Sequence, residues 1–288
     1  MIWLLLSVLC STAIFVAFKL FGRYNIDNLQ AILINYLVAF ILGASLSGGW
    51  EALVDIPRQP WAGSVLLLGF LFITMFQLMA WVSQKFGVAA VSVAVKMSVV
   101  IPIAFGIWYF SEPLGLQRGL GFAGALAAVF LATYKPGQLR GQWQMWVWPL
   151  LLFAGSGFID AFINYNEATL LQPGQHDLFA TSIFGMAGGL GLFFIGIRWL
   201  RRGGRYHWKA VVGGIGLGIP NYGSIYFILK ALDTPLLESS VVFALNHVAI
   251  VALSTILGVA LFREDWGRAN QWGLGLSLVS IWLIYGAL

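Results

Sequence analysis

Apolar runs fill most of the chain, and the polar positions between them mark where it crosses a membrane. A spanning helix needs about 17–25 apolar residues, and spans break at charges, prolines, glycines and asparagines. By that rule the pattern predicts helices over 2–21, 28–48, 61–84, 88–110, 114–134, 146–170, 177–200, 209–231, 236–262 and 267–287. Nothing alternates every second residue over the length of a span, which excludes a closed barrel, the other architecture able to satisfy its backbone in lipid. The predicted fold is an all-α polytopic membrane protein with ten transmembrane helices.

One arrangement occurs twice. VAAVSVAVKMSVVIPIAFGIWYF is followed by the polar elbow Ser111-Glu112-Pro113 and then by the Gly-rich GLGFAGALAAVFLATYKP. Near the C-terminus, ESSVVFALNHVAIVALSTILGVALF leads into Arg263-Glu264-Asp265 and then WGRANQWGLGLSLVSIWLIYG. The chain therefore divides into 1–134, a connecting loop 135–145, and 146–288, with five spans in each half. An odd number of spans forces the second copy into the membrane from the opposite side. The result is two inverted five-helix repeats, a plan common among secondary transporters.

Composition agrees with lipid as the surrounding medium. The chain is 60% hydrophobic and 9% charged, with a mean hydropathy of +0.86, whereas soluble domains carry about 25% charged residues. The net charge of +5 is not a nucleic-acid footprint, because the basic residues cluster at the ends of apolar runs, where topology places them. Lys19, Arg23, Lys85, Lys135, Arg140, Arg198, Arg201, Arg202, Arg205, Lys209, Arg263 and Arg268 share one side, against Arg58, Arg118 and Lys230 on the other. The positive-inside rule makes the first side cytoplasmic and puts both termini outside. Cys10 is the single cysteine, so no intrachain disulfide forms, and neither metal-ligand spacing nor a cofactor motif is present. The basic run from Arg198 to Lys209 could attract anionic lipid, although topology alone accounts for it.

Ionisable and polar side chains at membrane depth are the candidates for function, because burying them there is costly. Lys96 lies deep in its span, with Ser92 one turn earlier. In the sixth span Ser156, Asp160, Asn164 and Glu167 form a stripe along one helix face. A second stripe in the third span comprises Thr74, Gln77, Trp81 and Gln84, amides beside an aromatic wall of the kind that lines small-molecule pockets. The run Gly213 to Asn221, with Pro220 inside it, predicts a bent or unwound helix, followed by Tyr222 and Tyr226. Asn246 and His247 lie at mid-depth in the ninth span, and Glu238 stands at its entrance.

The substrate-binding set is therefore Lys96, Gln77, Trp81, Asp160, Asn164, Asn221, Tyr222, Asn246 and His247, with Glu167, Glu238 and Tyr226 as gate or coupling residues. Each has a plainer reading. Trp81 and Gln84 suit an interfacial belt, Glu167 a solvated rim, and Glu238 the first turn of a helix. Lys96 could be a structural lysine and His247 a histidine satisfied by its neighbour.

The spans, the two copies and the glutamates that precede the Gly-rich fifth and tenth spans are similar to the drug/metabolite transporter superfamily. VAVKMSVVIPIAFGIWYFSEPLGLQRGLGFAGALAAVFLATYKP and LKALDTPLLESSVVFALNHVAIVALSTILGVALFREDWGRANQWGLGLSLVSIWLIYG most resemble its bacterial EamA-like members. That resemblance implies alternating access through a central cavity walled by most helices other than the fifth and tenth. It also implies both termini in the cytoplasm, opposite to the Lys/Arg distribution. The family has no shared substrate motif, so no binding residue transfers from it.

The expected protein is a multi-pass transporter of the bacterial cytoplasmic (inner) membrane, monomeric or homodimeric, without a cofactor. It moves an amino acid or related zwitterion or organic anion, with export the expected direction. Lys96 faces the substrate carboxylate, and Asp160, Glu167 or His247 carries any coupling proton. The alternative is a proton-coupled exporter of cationic drugs or amines that uses Asp160 and Glu167. A membrane enzyme would need a clustered acid–base or metal set that the sequence does not offer. A lipid scramblase or a non-transporting scaffold is a further rival, and the polar stripes, costly to keep at depth, argue against a scaffold.

Overall fold

The computed structural model describes residues 1–46, 50–110, 115–134, 147–172, 174–204, 207–232, 239–264 and 267–286. Glu112, Glu238 and the 135–145 connection lie outside the described residues. The described chain is helical throughout and contains no strand. Its helices are α1 (Ile2–Arg23), α2 (Asn28–Leu46), α3 (Ala62–Phe86), α4 (Val88–Met97), α5 (Val100–Phe110), α6 (Leu116–Thr133), α7 (Val147–Thr169), α8 (His176–Arg202), α9 (Trp208–Leu232), α10 (Ser239–Phe262) and α11 (Arg268–Tyr285). A short 3₁₀ helix, Trp50–Arg58, lies between α2 and α3.

Among the described residues, nine segments are long and apolar enough to cross a membrane. The segment predicted as the tenth span is the helix α11, which is not among the nine because its first residues, RANQ, dilute its hydropathy. Large apolar side chains such as Leu5, Ile41, Leu67, Phe70, Leu126, Phe193 and Ile256 point outward around the bundle. A surface of that kind needs lipid rather than water as its neighbour. The protein is thus an all-α, multi-pass membrane protein.

The fourth predicted span is not one helix. α4 stops at Met97 and α5 starts at Val100, with a turn at Ser98 and Val99. Pro102 is the cause: it has no N–H to donate to the Ser98 carbonyl one turn back, and its ring crowds that carbonyl. The Ile101 amide donates to Ser98 O instead, at 2.9 Å, tightening the chain into a 3₁₀-type turn. Lys96 lies in the last turn of α4, just before this break.

The unwound form predicted at Pro220 is absent, since α9 is helical from Trp208 to Leu232. Its glycines serve packing. A Cβ on Gly214 would meet Ala31 O at 2.6 Å, and one on Gly218 would meet Asn35 O at 2.8 Å. Both contacts advance in the same sense along the two chains, so α9 runs parallel to α2 at a distance that only glycine permits. On the Gly-rich α6, Gly121 and Gly124 face α11, at Ile284 and Ser280, whereas Gly115 and Gly119 have nothing near them.

The packing relates the two halves. α2 lies against α9 as α3 lies against α8, α1 against α10 as α7 against α4 and α5, and α4 against α6 as α10 against α11. α6 pairs with α11, and α2 with α8. The relation is incomplete: α1 packs along α3 and α4, and α2 along α3, but among the described residues no comparable packing joins α7 to α9 or α10, or α8 to α9.

At one end of the bundle, Arg198 pairs with Asp27 at 2.8 Å and the His207 amide donates to Gln30. Lys19, Arg23, Lys85, Arg201, Lys209, Arg263 and Arg268 occupy this same end, which is therefore strongly basic. At the opposite end Trp61 donates to Gln175, and Gln117 to the Leu283 carbonyl.

Candidate functional site

α3, α4, α7 and α10 enclose a cavity of about 180 Å³ at mid-depth. α4 contributes Val95 and Lys96, and the turn after it Val99; α7 contributes Ser156, Ile159 and Asp160; α10 contributes His247. The α3 wall is Phe72, Met75, Phe76 and Met79, one face of that helix. The floor is therefore aromatic and thioether, and the charged groups converge from the other three helices.

Lys96 and Asp160 are opposite charges on facing helices, within electrostatic reach of one another. Nevertheless, no ion pair within 4 Å joins them among the described residues. Asp160 opens onto the cavity although it sits deep in the bundle. α7 can approach because Gly157 meets the α4–α5 turn without a side chain; a Cβ there would lie 2.7 Å from Ser98 O. The same turn places the carbonyl end of α4 beside Lys96, where the helix dipole favours a cation.

His247 is the third polar group. Its Nδ1 lies 3.4 Å from the Tyr285 hydroxyl, and the two rings meet edge to face with centroids 5.9 Å apart. Phe243 flanks the imidazole on its own helix. Tyr285 also lies within electrostatic reach of Asp160.

Of the sequence-predicted site residues, the structure therefore brings together Lys96, Asp160 and His247, with Ser156 from the same stripe. The others lie elsewhere. Trp81 packs on Trp148 and Phe86, and Gln84 donates to Phe18 O and Asn28 at the basic end. Thr74 is bonded within its own helix to Phe70 O and Leu71 O. The third-span polar stripe thus lies off the cavity, whose α3 face is the apolar one beside it. Ser92 likewise donates to Ala89 O in its own helix.

Asn164 is exposed, and Glu167 meets His176 at 3.6 Å near the helix end, as a rim pair. Tyr222 stacks on Tyr226, and Lys230 lies over the Tyr226 ring at 5.8 Å. Gln77, Asn221 and Asn246 each keep a buried amide atom without a hydrogen-bond partner, yet none lines the cavity.

Sequence reasoning missed Tyr285, because a tyrosine in the last turn of the chain carries no sign of its neighbour. It also missed the α3 face, where a search restricted to polar residues passes over Phe72, Met75, Phe76 and Met79. Among the described residues no three His, Cys, Asp or Glu side chains cluster as metal ligands would.

The cavity presents groups of opposite charge type beside apolar bulk, in a volume below the roughly 300 Å³ where drug-sized pockets begin. No family model matches the chain. An uncharacterized protein of Haemophilus influenzae (strain ATCC 51907 / DSM 11121 / KW20 / Rd) is 26% identical over 291 residues, covering 98% of this chain and 97% of that protein. A solved structure, described only as a crystal structure of a protein, superposes with a TM-score of 0.58 at 16% identity, over 98% of this chain and 96% of its own. The likeness supports the fold over nearly the whole chain, and neither name carries an activity.

Proposed function

We propose that the chain is a secondary-active transporter of a small organic metabolite, an amino acid or a related zwitterion or organic anion, working by alternating access through the mid-depth cavity. The observation that carries this reading is the separation of Lys96 from Asp160. Two opposite charges lining one small cavity attract when they touch. Held apart across an open space, they offer an ammonium to a substrate carboxylate and a carboxylate to a substrate amine.

On this reading α4–α5 is a discontinuous helix at the binding site, a common construction for midplane sites between repeats. The ten predicted spans then form two inverted five-helix repeats, a plan supported by the exchange of packing partners between the halves. The missing α7–α9 contact would mark the side on which the array is open. The resemblance to EamA-like drug/metabolite transporters, an inner-membrane location and export as the direction belong to the same proposal, with Asp160 or His247 as the proton carrier. Glu167 sits at the rim and is left out of the substrate contacts.

The test is transport by the purified protein in proteoliposomes with a panel of amino acids, organic acids and cationic amines. A charge-assisted hydrogen bond is worth about 1.5–3 kcal/mol, which is about 10- to 150-fold in KM. For a zwitterion, Lys96→Ala and Asp160→Asn each raise KM within that range. For an organic anion only Lys96→Ala does. Undiminished transport of every carboxylate by Lys96→Ala refutes the proposal.

The second reading, a cation or amine exporter, rests on the cavity floor: Phe72, Phe76, Met75 and Met79 offer ring faces and polarisable sulfur beside Asp160. It predicts loss of transport in Asp160→Asn alone, with cationic amines as the substrates.

A further inference from the structure

The basic end of the bundle holds a recess of about 940 Å³ between the ends of α1, α3 and α10. Arg23 comes from the end of α1, Lys85 from the end of α3, and Arg263 from the residue after α10. Lys19 also reaches it, but is held from behind by Glu264 at 3.3 Å and by the Ser83 carbonyl. No carboxylate is among the described residues that line the recess. Three helix ends thus bring their cations to one concavity.

The backbone at Arg263 is part of the construction. Its φ is 51°, in the left-handed region, which costs a non-glycine residue about 1–2 kcal/mol. The Glu264 amide turns back to donate to Gly258 O at 3.3 Å, so the chain reverses and Arg263 joins the recess.

An apolar track continues from the same place. Ile256 and Val259 stand three residues apart on one face of α10, in the last two turns before Arg263. Ile256 and Val259 are both exposed large apolar side chains on the outside of the bundle. Leu261 and Phe262 line the recess itself. A phosphate at the recess thus has hydrocarbon-compatible surface running from it along the bundle.

We propose that this recess binds a phosphate-bearing anion, the headgroup of an anionic phospholipid, held by Arg23, Lys85 and Arg263 with its acyl chains along the Ile256–Val259 face of α10. The site is separate from the mid-depth cavity and does not depend on the transport proposal. Cations near an anionic lipid each contribute about fivefold to binding, or about a hundredfold for three.

Binding is read by titrating the full-length protein, in a neutral detergent, with phosphatidylglycerol, phosphatidylcholine or inorganic phosphate, and following bound lipid by native mass spectrometry and stabilisation by the melting midpoint. The expected result is selective binding of phosphatidylglycerol over phosphatidylcholine, weakened as salt is raised. The variant Arg23→Gln/Lys85→Gln/Arg263→Gln should lose about a hundredfold in apparent affinity. Arg201→Gln/Lys209→Gln, which removes two cations from the same end, should stay within about threefold.

Stabilisation by inorganic phosphate equal to that by phosphatidylglycerol, and lost in the triple variant, supports the anion site and overturns the lipid as its source. Equal binding of both lipids by the wild type, or unchanged selectivity in the triple variant, overturns the site. Loss in the double variant with retention in the triple places anion binding on the 198–209 run instead and overturns it equally. A monodisperse triple variant whose melting midpoint without lipid matches the wild type excludes misfolding as the cause.

Discussion

Lys96 is an ionisable side chain at a depth where its charged form costs about 2.5–3.5 kcal/mol to insert. The carbonyl end of α4, one residue beyond it, returns about 0.3–1 kcal/mol, and up to about 2 kcal/mol in a partly buried setting. The remainder must come from Asp160 across the cavity, and Asp160 depends equally on Lys96. The two are therefore coupled although they do not touch. Lys96→Met should lower stability by about 1–3 kcal/mol by leaving the Asp160 carboxylate at membrane depth without its opposite charge, and Asp160→Asn should act in the same direction. The double variant should recover at least half of either loss, giving a coupling of about 1 kcal/mol or more in a double-mutant cycle. Thermal unfolding of the four proteins in one detergent measures it. Strict additivity would mean that each charge is satisfied by its own surroundings and that the cavity is not their shared environment.

The elements that carry the site depend on contacts between distant parts of the chain. Glu264, just after α10, accepts the Val88 amide at 2.8 and 3.1 Å through its two carboxylate oxygens and pairs with Lys19 at 3.3 Å. It thereby caps α4, the helix that ends at Lys96, and neutralises that helix's positive end. Gly87 admits it: its φ of 109° suits glycine, and a Cβ there would lie 2.6 Å from the carboxylate. A capping substitution costs about 0.5–2 kcal/mol. Glu264→Ala should fall in the upper half of that range, whereas Glu264→Gln, which keeps an acceptor for the Val88 amide, should cost less. Hydrogen exchange at the amides of residues 88–91 should accelerate in Glu264→Ala and change little in Glu264→Gln. Equal acceleration in both would assign the effect to the Lys19 pair rather than to the cap. The sequence exposes Glu264 as one of two adjacent acids in a polar elbow but contains no sign of its target, 176 residues away. Pro102 is different. Its effect on the Ser98 carbonyl is local, so the break in the fourth span was legible from one residue and was passed over because the apolar run is continuous. At Pro220 the same local rule predicts a bent or unwound helix, and tertiary packing overrides the unwinding, because α9 is clamped along α2 through Gly214 and Gly218.

At the scale of the whole molecule, span positions were legible because twenty apolar residues have few alternatives to a membrane helix. The cavity was legible only where charge marked it, at Lys96, Asp160 and His247. Its apolar wall and Tyr285 depend on helix rotation, which hydropathy does not encode. Orientation is the global property on which the Lys/Arg distribution and the family resemblance disagree. The structure sharpens the question: Lys19, Arg23, Lys85, Arg198, Arg201, Lys209, Arg263 and Arg268 share one end, with Arg58, Arg118 and Lys230 at the other. Translocating so many cations opposes the potential that sets topology. The basic end should therefore be cytoplasmic and both termini external. In a Cys10→Ser background, a membrane-impermeant maleimide should label Arg58→Cys in intact cells and Lys209→Cys only after lysis. Arg58 is well suited to this, because its side chain is 86% exposed. The reverse pattern would put the termini in the cytoplasm, as the resemblance implies. It would also mean that this end escapes the positive-inside bias, which lipid phosphates bound in the recess between α1, α3 and α10 would help to explain by neutralising part of its charge. Labelling of both positions in intact cells would point to dual insertion, which a fold of two inverted halves can accommodate without changing its packing.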